Sequence, residues 1–83
     1  MRLHVLRGES EATRVVLVPV RAYPNAVARN RARRLLRECW RTRKASIAPG
    51  FDVAVVLYPG SDALGDRGYQ LDRLLGQAGL VRA

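Results

Sequence analysis

Arginine is the residue type whose number and spacing in this chain indicate a chemical task. The segment "NAVARNRARRLLRE", residues 25–38, holds five arginines and ends on a single glutamate, Glu38. Residues 25–44 contain eight basic residues and one acidic residue, so this segment carries +7 of the formal net charge of +8. The planar guanidinium of arginine binds phosphate through two parallel hydrogen bonds and stacks on bases. Such a concentration of positive charge is typical of a protein that binds nucleic acid.

The arginines lie on a predicted helix that runs from about Ala26 to Arg43. The preceding tripeptide "YPN" interrupts regular structure, and Asn25 is a residue type that caps helices. At about 100° per residue, the apolar side chains fall within one arc; they are Ala28, Ala32, Leu35, Leu36 and Cys39. Trp40 lies at the border of this arc, and we expect its ring to pack over the edge of the core.

The arginine run has two interpretations, a solvated helix surface or a surface for an anion. A solvated helix usually mixes opposite charges at i,i+4 spacing. This helix instead repeats arginine at every fourth position, namely Arg29, Arg33, Arg37 and Arg41. Each such pair of like charges costs a few tenths of a kcal/mol, so the pattern favours an anionic partner. Asn30 could hydrogen-bond a base edge, a ribose or a phosphate, although a surface asparagine without a partner is equally compatible with the sequence.

The same segment resembles the signature of the protein subunit of bacterial ribonuclease P. The matching positions are Asn25, Ala26, Val27, Arg29, Asn30, Arg31, Arg33, Arg34, Leu36, Arg37 and Glu38. The resemblance extends to the strand "RVVLVPV" before the signature, to "FDVAVVLYPG" after it and to the leucine-bearing segment "YQLDRLLGQAGL". It covers residues 3–80, nearly the whole chain.

The resemblance implies an RNA-binding subunit of the ribonucleoprotein that removes the 5′ leader from precursor tRNA. In that family the RNA subunit performs the reaction with Mg²⁺, so no catalytic residue, metal site or bound cofactor is expected in the protein. The partners are the catalytic RNA and precursor tRNA. The protein is expected to be monomeric without RNA, and its location cytoplasmic. The residues expected to bind RNA are Asn25, Arg29, Asn30, Arg31, Arg33, Arg34, Arg37 and Arg41.

A cleft for the single-stranded leader is the second site that the resemblance implies. His4 stands where the family tends to carry an aromatic residue on the first strand, and an imidazole can stack on a base. Arg21 keeps one of the family's basic positions, and these two residues are the candidates for this cleft. Family members usually begin with a further amphipathic helix beside the cleft. Nothing in this sequence corresponds to it, so a short form is expected.

The remaining pattern predicts a small α+β fold. Strands are expected over "RLHVL" (2–6), "RVVLVPV" (14–20) and "FDVAVVLYP" (51–59), and a short helix over residues 69–80 after the loop "GSDALGDRG". The first two strands could form a hairpin with a long loop, and Pro19 marks a strand end, an edge or a bulge. The order ββαβα describes a two-layer α/β sandwich in a single domain, residues 1–83. The family resemblance implies a left-handed βαβ crossover.

Three other classes of function receive less support from the sequence. A different nucleic-acid-binding module, ribosomal or chaperone-like, could use the same arginine helix. An independent enzyme would need catalytic or metal-binding residues, yet Cys39 and His4 are each the only residue of their type. A helix lying on a membrane surface would need its apolar arc for lipid, whereas a domain with strands uses that arc as core. No apolar run approaches the roughly 18 residues that span a bilayer.

Overall fold

The computed structural model describes residues 1–60 and 62–81 and has the predicted ββαβα order. A single 3₁₀ turn, Lys44–Ser46, follows the long helix. None of the described helices is long and apolar enough to cross a membrane. The elements are β1 (Arg2–Arg7), β2 (Arg14–Pro19), α1 (Ala26–Arg43), β3 (Phe51–Leu57) and α2 (Leu64–Gln77).

The three strands form one sheet in the order β1-β3-β2, with β3 in the centre. β1 is antiparallel to β3, and β2 is parallel to it, with Val15 opposite Val53. A hairpin between β1 and β2 is therefore wrong. β3 is paired along both edges, and its side chains alternate between buried residues on the core face and half-buried residues on the other face. Pro19 ends the edge strand β2, one of the positions expected for it. The β2–α1–β3 connection is the crossover for which the resemblance implies a left-handed turn.

Both helices cover one face of the sheet, and the core lies between them and β3. Alternate residues of β3 point into this core, as the two-residue period of a strand requires. Trp40 is only 6% exposed and belongs to the core, so its predicted packing is confirmed. The principal buried side chains are Ala32, Leu36, Cys39, Val53, Val55, Leu57, Leu71 and Leu75.

Helix α2 begins five residues earlier than predicted and ends at Gln77, before the predicted end at residue 80. Glycine has low helix propensity, and Gly65 and Gly68 therefore concealed the first turns. Gly68 is buried against Arg43 of α1, and a Cβ there would lie 2.5 Å from its Nη2, so a larger residue would require the Arg43 guanidinium to move. Gly79, two residues beyond the last helical residue, has a φ of +72°, which belongs to the left-handed region. There the Leu80 amide donates to the Leu75 carbonyl at 3.0 Å, which satisfies the helix end.

The opposite face of the sheet is not covered by either helix. Its apolar side chains are exposed, Leu6 to 72% and Val16 to 61%. The two faces of the sheet thus differ in kind. One packs on the hydrophobic core, and the other exposes apolar side chains.

Candidate nucleic-acid interface

The first turn of α1 is fixed by the predicted cap. The Asn25 side-chain Oδ1 accepts a hydrogen bond from the Ala28 amide at 2.9 Å. This bond satisfies one of the amides that a helix start leaves without an intrahelical partner. Asn25 was also predicted to bind RNA, and its remaining amide group is exposed. The cap determines where the arginine face of the helix begins.

Four arginines of α1 hydrogen-bond within the protein. Arg29 donates from Nη1 to the Tyr23 carbonyl at 3.3 Å, and Arg33 donates to Oδ1 of Asn30 at 3.0 Å. Arg41 forms a two-point ion pair with Glu38, and Arg43 forms one with Asp72 of α2. Hydrogen bonding to Arg41 lowers the pKa of Glu38, and hydrogen bonding to Asp72 raises the pKa of Arg43. These guanidinium groups are therefore partly engaged within the protein.

The other three arginines of the helix are different. Arg31, Arg34 and Arg37 are exposed, and within residues 1–60 and 62–81 their side chains have neither a hydrogen bond nor an ion pair. We call these three residues the outward arginines. Their guanidinium groups are available for an anion without breaking any bond in the described part of the protein. Of the eight residues predicted to bind RNA, seven lie within this helix and Asn25 caps it. The structure separates the seven into side chains that hydrogen-bond within the protein and the outward arginines, which do not.

Asn30 is exposed beside this set. Its Oδ1 already accepts from Arg33, so its side chain has an amide group left to donate. The arrangement holds the Arg33 guanidinium against the helix surface. Asn30 therefore has two possible tasks, to orient Arg33 and to donate to a ligand.

Arg67, at the start of α2, was missed by sequence reasoning because the segment looked like a loop. It is 2% exposed, and its Nη2 donates to the Tyr58 carbonyl at 2.7 Å. The same atom donates to Oδ1 of Asp62 at 3.2 Å and to the Tyr23 hydroxyl at 3.3 Å. Its Nη1 donates to Gln70. The signal that could have revealed it is the helical spacing of Leu64, Arg67, Leu71 and Leu75.

The Arg67 network reaches the start of the arginine helix. The Tyr23 hydroxyl donates to the Tyr58 carbonyl at 3.1 Å, and the Tyr23 carbonyl accepts from Arg29. Burial raises the pKa of Tyr23, which keeps its hydroxyl protonated as a donor. Arg67 thus fixes the turn before α1 and the segment that leads into α2 at the same time.

A groove runs between α1 and the segment that leads into α2. Its volume is about 470 Å³. Basic, acidic and apolar side chains all contribute to its walls. They are Arg31, Arg34, Leu35, Glu38, Asp62 and Leu64.

The open face of the sheet carries the predicted leader-cleft residue His4. His4 is aligned with Ala54 of β3, which is in turn aligned with Val16 of β2, and the three residues line a shallow pocket of about 430 Å³. Arg14 and Asp52 form a two-point ion pair at its rim, with distances of 3.0 and 3.2 Å. Arg21, the second candidate, lies beyond the end of β2 and is not among the residues that line this pocket.

Metal-binding side chains are not grouped in the described part of the chain. No three His, Cys, Asp or Glu side chains among these residues lie together as a metal site. Cys39 is buried in the core, and burial raises the pKa of its thiol. A raised pKa leaves the sulfur as the unreactive thiol at neutral pH.

The chain is similar to known proteins both in its sequence pattern and in its fold. The family model for ribonuclease P matches residues 1–78. The fold is similar to that of the RNase P protein of Staphylococcus aureus, with a TM-score of 0.82 and 20% identity, covering 96% of this chain and 75% of that chain. It is also similar to the RNase P protein from Thermotoga maritima, with a TM-score of 0.77 and 24% identity, covering 90% of this chain and 74% of that one. No curated protein matches the chain in sequence.

Proposed function

Because the chain belongs to the ribonuclease P protein family, we propose that it is the RNA-binding subunit of a ribonuclease P and acts in the cytoplasm. Its partner is the catalytic RNA, and their common substrate is precursor tRNA, from which the 5′ leader is removed. The protein contributes binding energy and charge, and the RNA performs the hydrolysis.

The outward arginines are the observation that carries this proposal. Arg31, Arg34 and Arg37 present three cations on one helix and have no internal partner among the described residues. Bringing them together costs repulsion within the free protein. A phosphate backbone relieves that repulsion and releases its own condensed counterions, which is the main source of affinity in such complexes. Asn25, Asn30, Arg29, Arg33 and Arg41 flank this set and extend the contact surface.

Mg²⁺ is assigned to the RNA in this proposal. Mg²⁺ takes oxygen ligands in octahedral geometry and commonly binds through phosphate groups. The described residues of the protein offer no set of three side chains that fits such an ion. What the protein supplies is screening, because a segment of +7 offsets phosphate repulsion that divalent ions would otherwise have to offset.

The open face of the sheet is the proposed surface for the single-stranded leader. Leu6 and Val16 expose an apolar surface there, and the His4 ring can stack on a base. Arg21 lies outside this pocket and would meet the leader only further along its path. This part of the proposal predicts that protein-dependent substrate affinity increases with leader length.

A cleavage assay tests the proposal directly. Bacterial ribonuclease P RNA is titrated with Mg²⁺ with and without the protein, using precursors with long and very short leaders. The protein should lower the Mg²⁺ concentration required and should cleave no precursor without the RNA. Cleavage by the protein alone would contradict the division of labour, and an unchanged Mg²⁺ requirement would contradict the role of the arginine helix.

A binding comparison separates this function from that of another RNA-binding module. Affinity for the ribonuclease P RNA is measured against an unrelated structured RNA of equal length at the same salt concentration. The proposal expects tighter binding to the ribonuclease P RNA. Equal affinities would favour a general RNA-binding or chaperone-like protein.

A further inference from the structure

We propose that the groove between α1 and the segment leading into α2 binds one unstacked nucleotide of the RNA partner. The base lies against Leu35 and Leu64, and its phosphate is bound by Arg31 and Arg34. The inference rests on the proposed function, because it assumes that RNA is the partner. It adds a defined subsite to a surface that is otherwise described only by its charge.

The groove has an apolar part, which a surface that binds only phosphate does not require. Leu64 is 52% exposed although it lies at the start of a helix beside two arginines. In a duplex the bases are stacked inside the helix. A duplex bound here would therefore leave this leucine in contact with water or ribose. A base that has left its stack presents a flat apolar face, which can cover the leucine.

The charged part of the groove fits the same ligand. Arg31 and Arg34 have no internal partner within the described ranges, so both can bind the phosphate that flanks the base. The two carboxylates in the groove are already paired. Glu38 is bonded to Arg41, and Asp62 accepts from Arg67 at 3.2 Å. Their charges are therefore offset, while their remaining oxygen lone pairs can accept from the amino group of a base.

The walls of the groove are held in place before any ligand binds. The Asp62 wall is tied to the buried Arg67, which also bonds the Tyr58 carbonyl. The opposite wall is one face of a continuous helix. A volume of about 470 Å³ lies within the range of about 300–1,000 Å³ that small-molecule sites occupy, which is enough for one nucleotide. Preformed walls reduce the ordering cost of binding.

The test compares two aliphatic side chains of equal exposure. Leu64 and Val81 are both 52% exposed, and Val81 lies outside α1 and outside the groove. Leu64→Ala should weaken binding to ribonuclease P RNA roughly five- to tenfold, and Val81→Ala should leave it unchanged. The slope of log K against log salt should be the same for both variants, because neither changes a phosphate contact. Thermal unfolding confirms that both variants are folded.

Chemical probing then identifies the nucleotide. One unpaired base should be protected by the original protein and by Val81→Ala, and should become reactive again with Leu64→Ala. An abasic substitution at that nucleotide removes the base and keeps the phosphate. On the abasic RNA, Leu64→Ala should bind as tightly as the original protein, because the partner of Leu64 is already gone.

The outcomes distinguish this inference from the proposed function. If Leu64→Ala behaves like Val81→Ala, or if its loss is the same on the abasic RNA, the nucleotide subsite is refuted. The RNA-binding function would stand in either case, provided that removal of the outward arginines still weakens binding. If neither Leu64→Ala nor removal of the outward arginines weakens RNA binding, both the subsite and the role of the arginine face are wrong.

Discussion

Arg67 and the outward arginines of α1 have the same side chain in opposite environments. Arg67 is 2% exposed and donates to four groups of the protein. Arg31, Arg34 and Arg37 are exposed and have no partner within residues 1–60 and 62–81. Under the proposed function, arginine has two separate tasks in this small domain. Arg67 joins elements of the fold, and the outward arginines have side chains free to bind RNA.

The strongest test of this comparison applies the same substitution to both environments. Arg67→Met removes the donor to the Tyr23 hydroxyl and to the Asp62 carboxylate, and one of the two donors to the Tyr58 carbonyl. It should therefore lower the free energy of unfolding by about 2–4 kcal/mol. Arg34→Met should change it by less than about 0.5 kcal/mol. Urea unfolding followed by circular dichroism measures both. Equal effects would show that the two environments are energetically alike.

The reverse pattern is expected for RNA affinity. Changing Arg31, Arg34 and Arg37 together to Ala should weaken binding to ribonuclease P RNA roughly 50-fold at about 0.15 M salt and flatten the salt slope by about 2 units. The control removes the same charge elsewhere, at the exposed residues Arg2, Arg7 and Arg73. It should lose much less affinity. If both triple variants lose the same affinity, net charge matters and position does not.

Asn30 sharpens the comparison, because it bonds an arginine and can also donate to RNA. Asn30→Ala should weaken binding to the cognate RNA by about 1 kcal/mol, with little effect on an unrelated RNA. The same substitution in an Arg33→Ala background separates its two tasks. A loss that persists there indicates direct donation to the RNA. A loss that disappears there shows that Asn30 acts only by orienting Arg33.

The smallest expected effect concerns the ion pair between Glu38 and Arg41. Hydrogen bonding to Arg41 lowers the pKa of Glu38 in the folded protein. A lowered pKa means that the pair stabilises the fold above the ordinary glutamate pKa and loses this effect as the pH falls through the lowered value. Arg41→Ala should return the Glu38 pKa to its ordinary range in an NMR titration, and Arg37→Ala should change it little. A Glu38 pKa that is unaffected by Arg41→Ala would contradict the pairing.

The sequence predicted those features that depend on neighbouring residues. Helix α1 has the predicted bounds, because Asn25 caps its first turn and the arc of Ala32, Leu36 and Cys39 continues to its end. Trp40, at the border of the apolar arc, packs against the core as predicted. These features depend on residue type and helical period, both of which are local properties that a sequence displays directly.

The features that the sequence did not predict depend on contacts distant along the chain. The hairpin of β1 and β2 is wrong because β3, more than 30 residues later, lies between them. Glycines concealed the start of α2, because the low helix propensity of Gly65 and Gly68 is offset by packing of a helix that buries Arg67 and Gly68. The role of Arg67 likewise depends on Tyr23, 44 positions away. Tertiary packing overrides local propensity at each of these places.

The central position of β3 also determines the order in which the protein can assemble. β1 and β2 have no strand to pair with until residues 51–57 are available, because in the described part of the chain each pairs with β3 alone. During synthesis the whole of α1 therefore leaves the ribosome before any part of the sheet can form. Pairing between strands that are distant in sequence is slow. The nascent chain consequently exposes a helix-forming segment of +7 before its hydrophobic face has a sheet to cover.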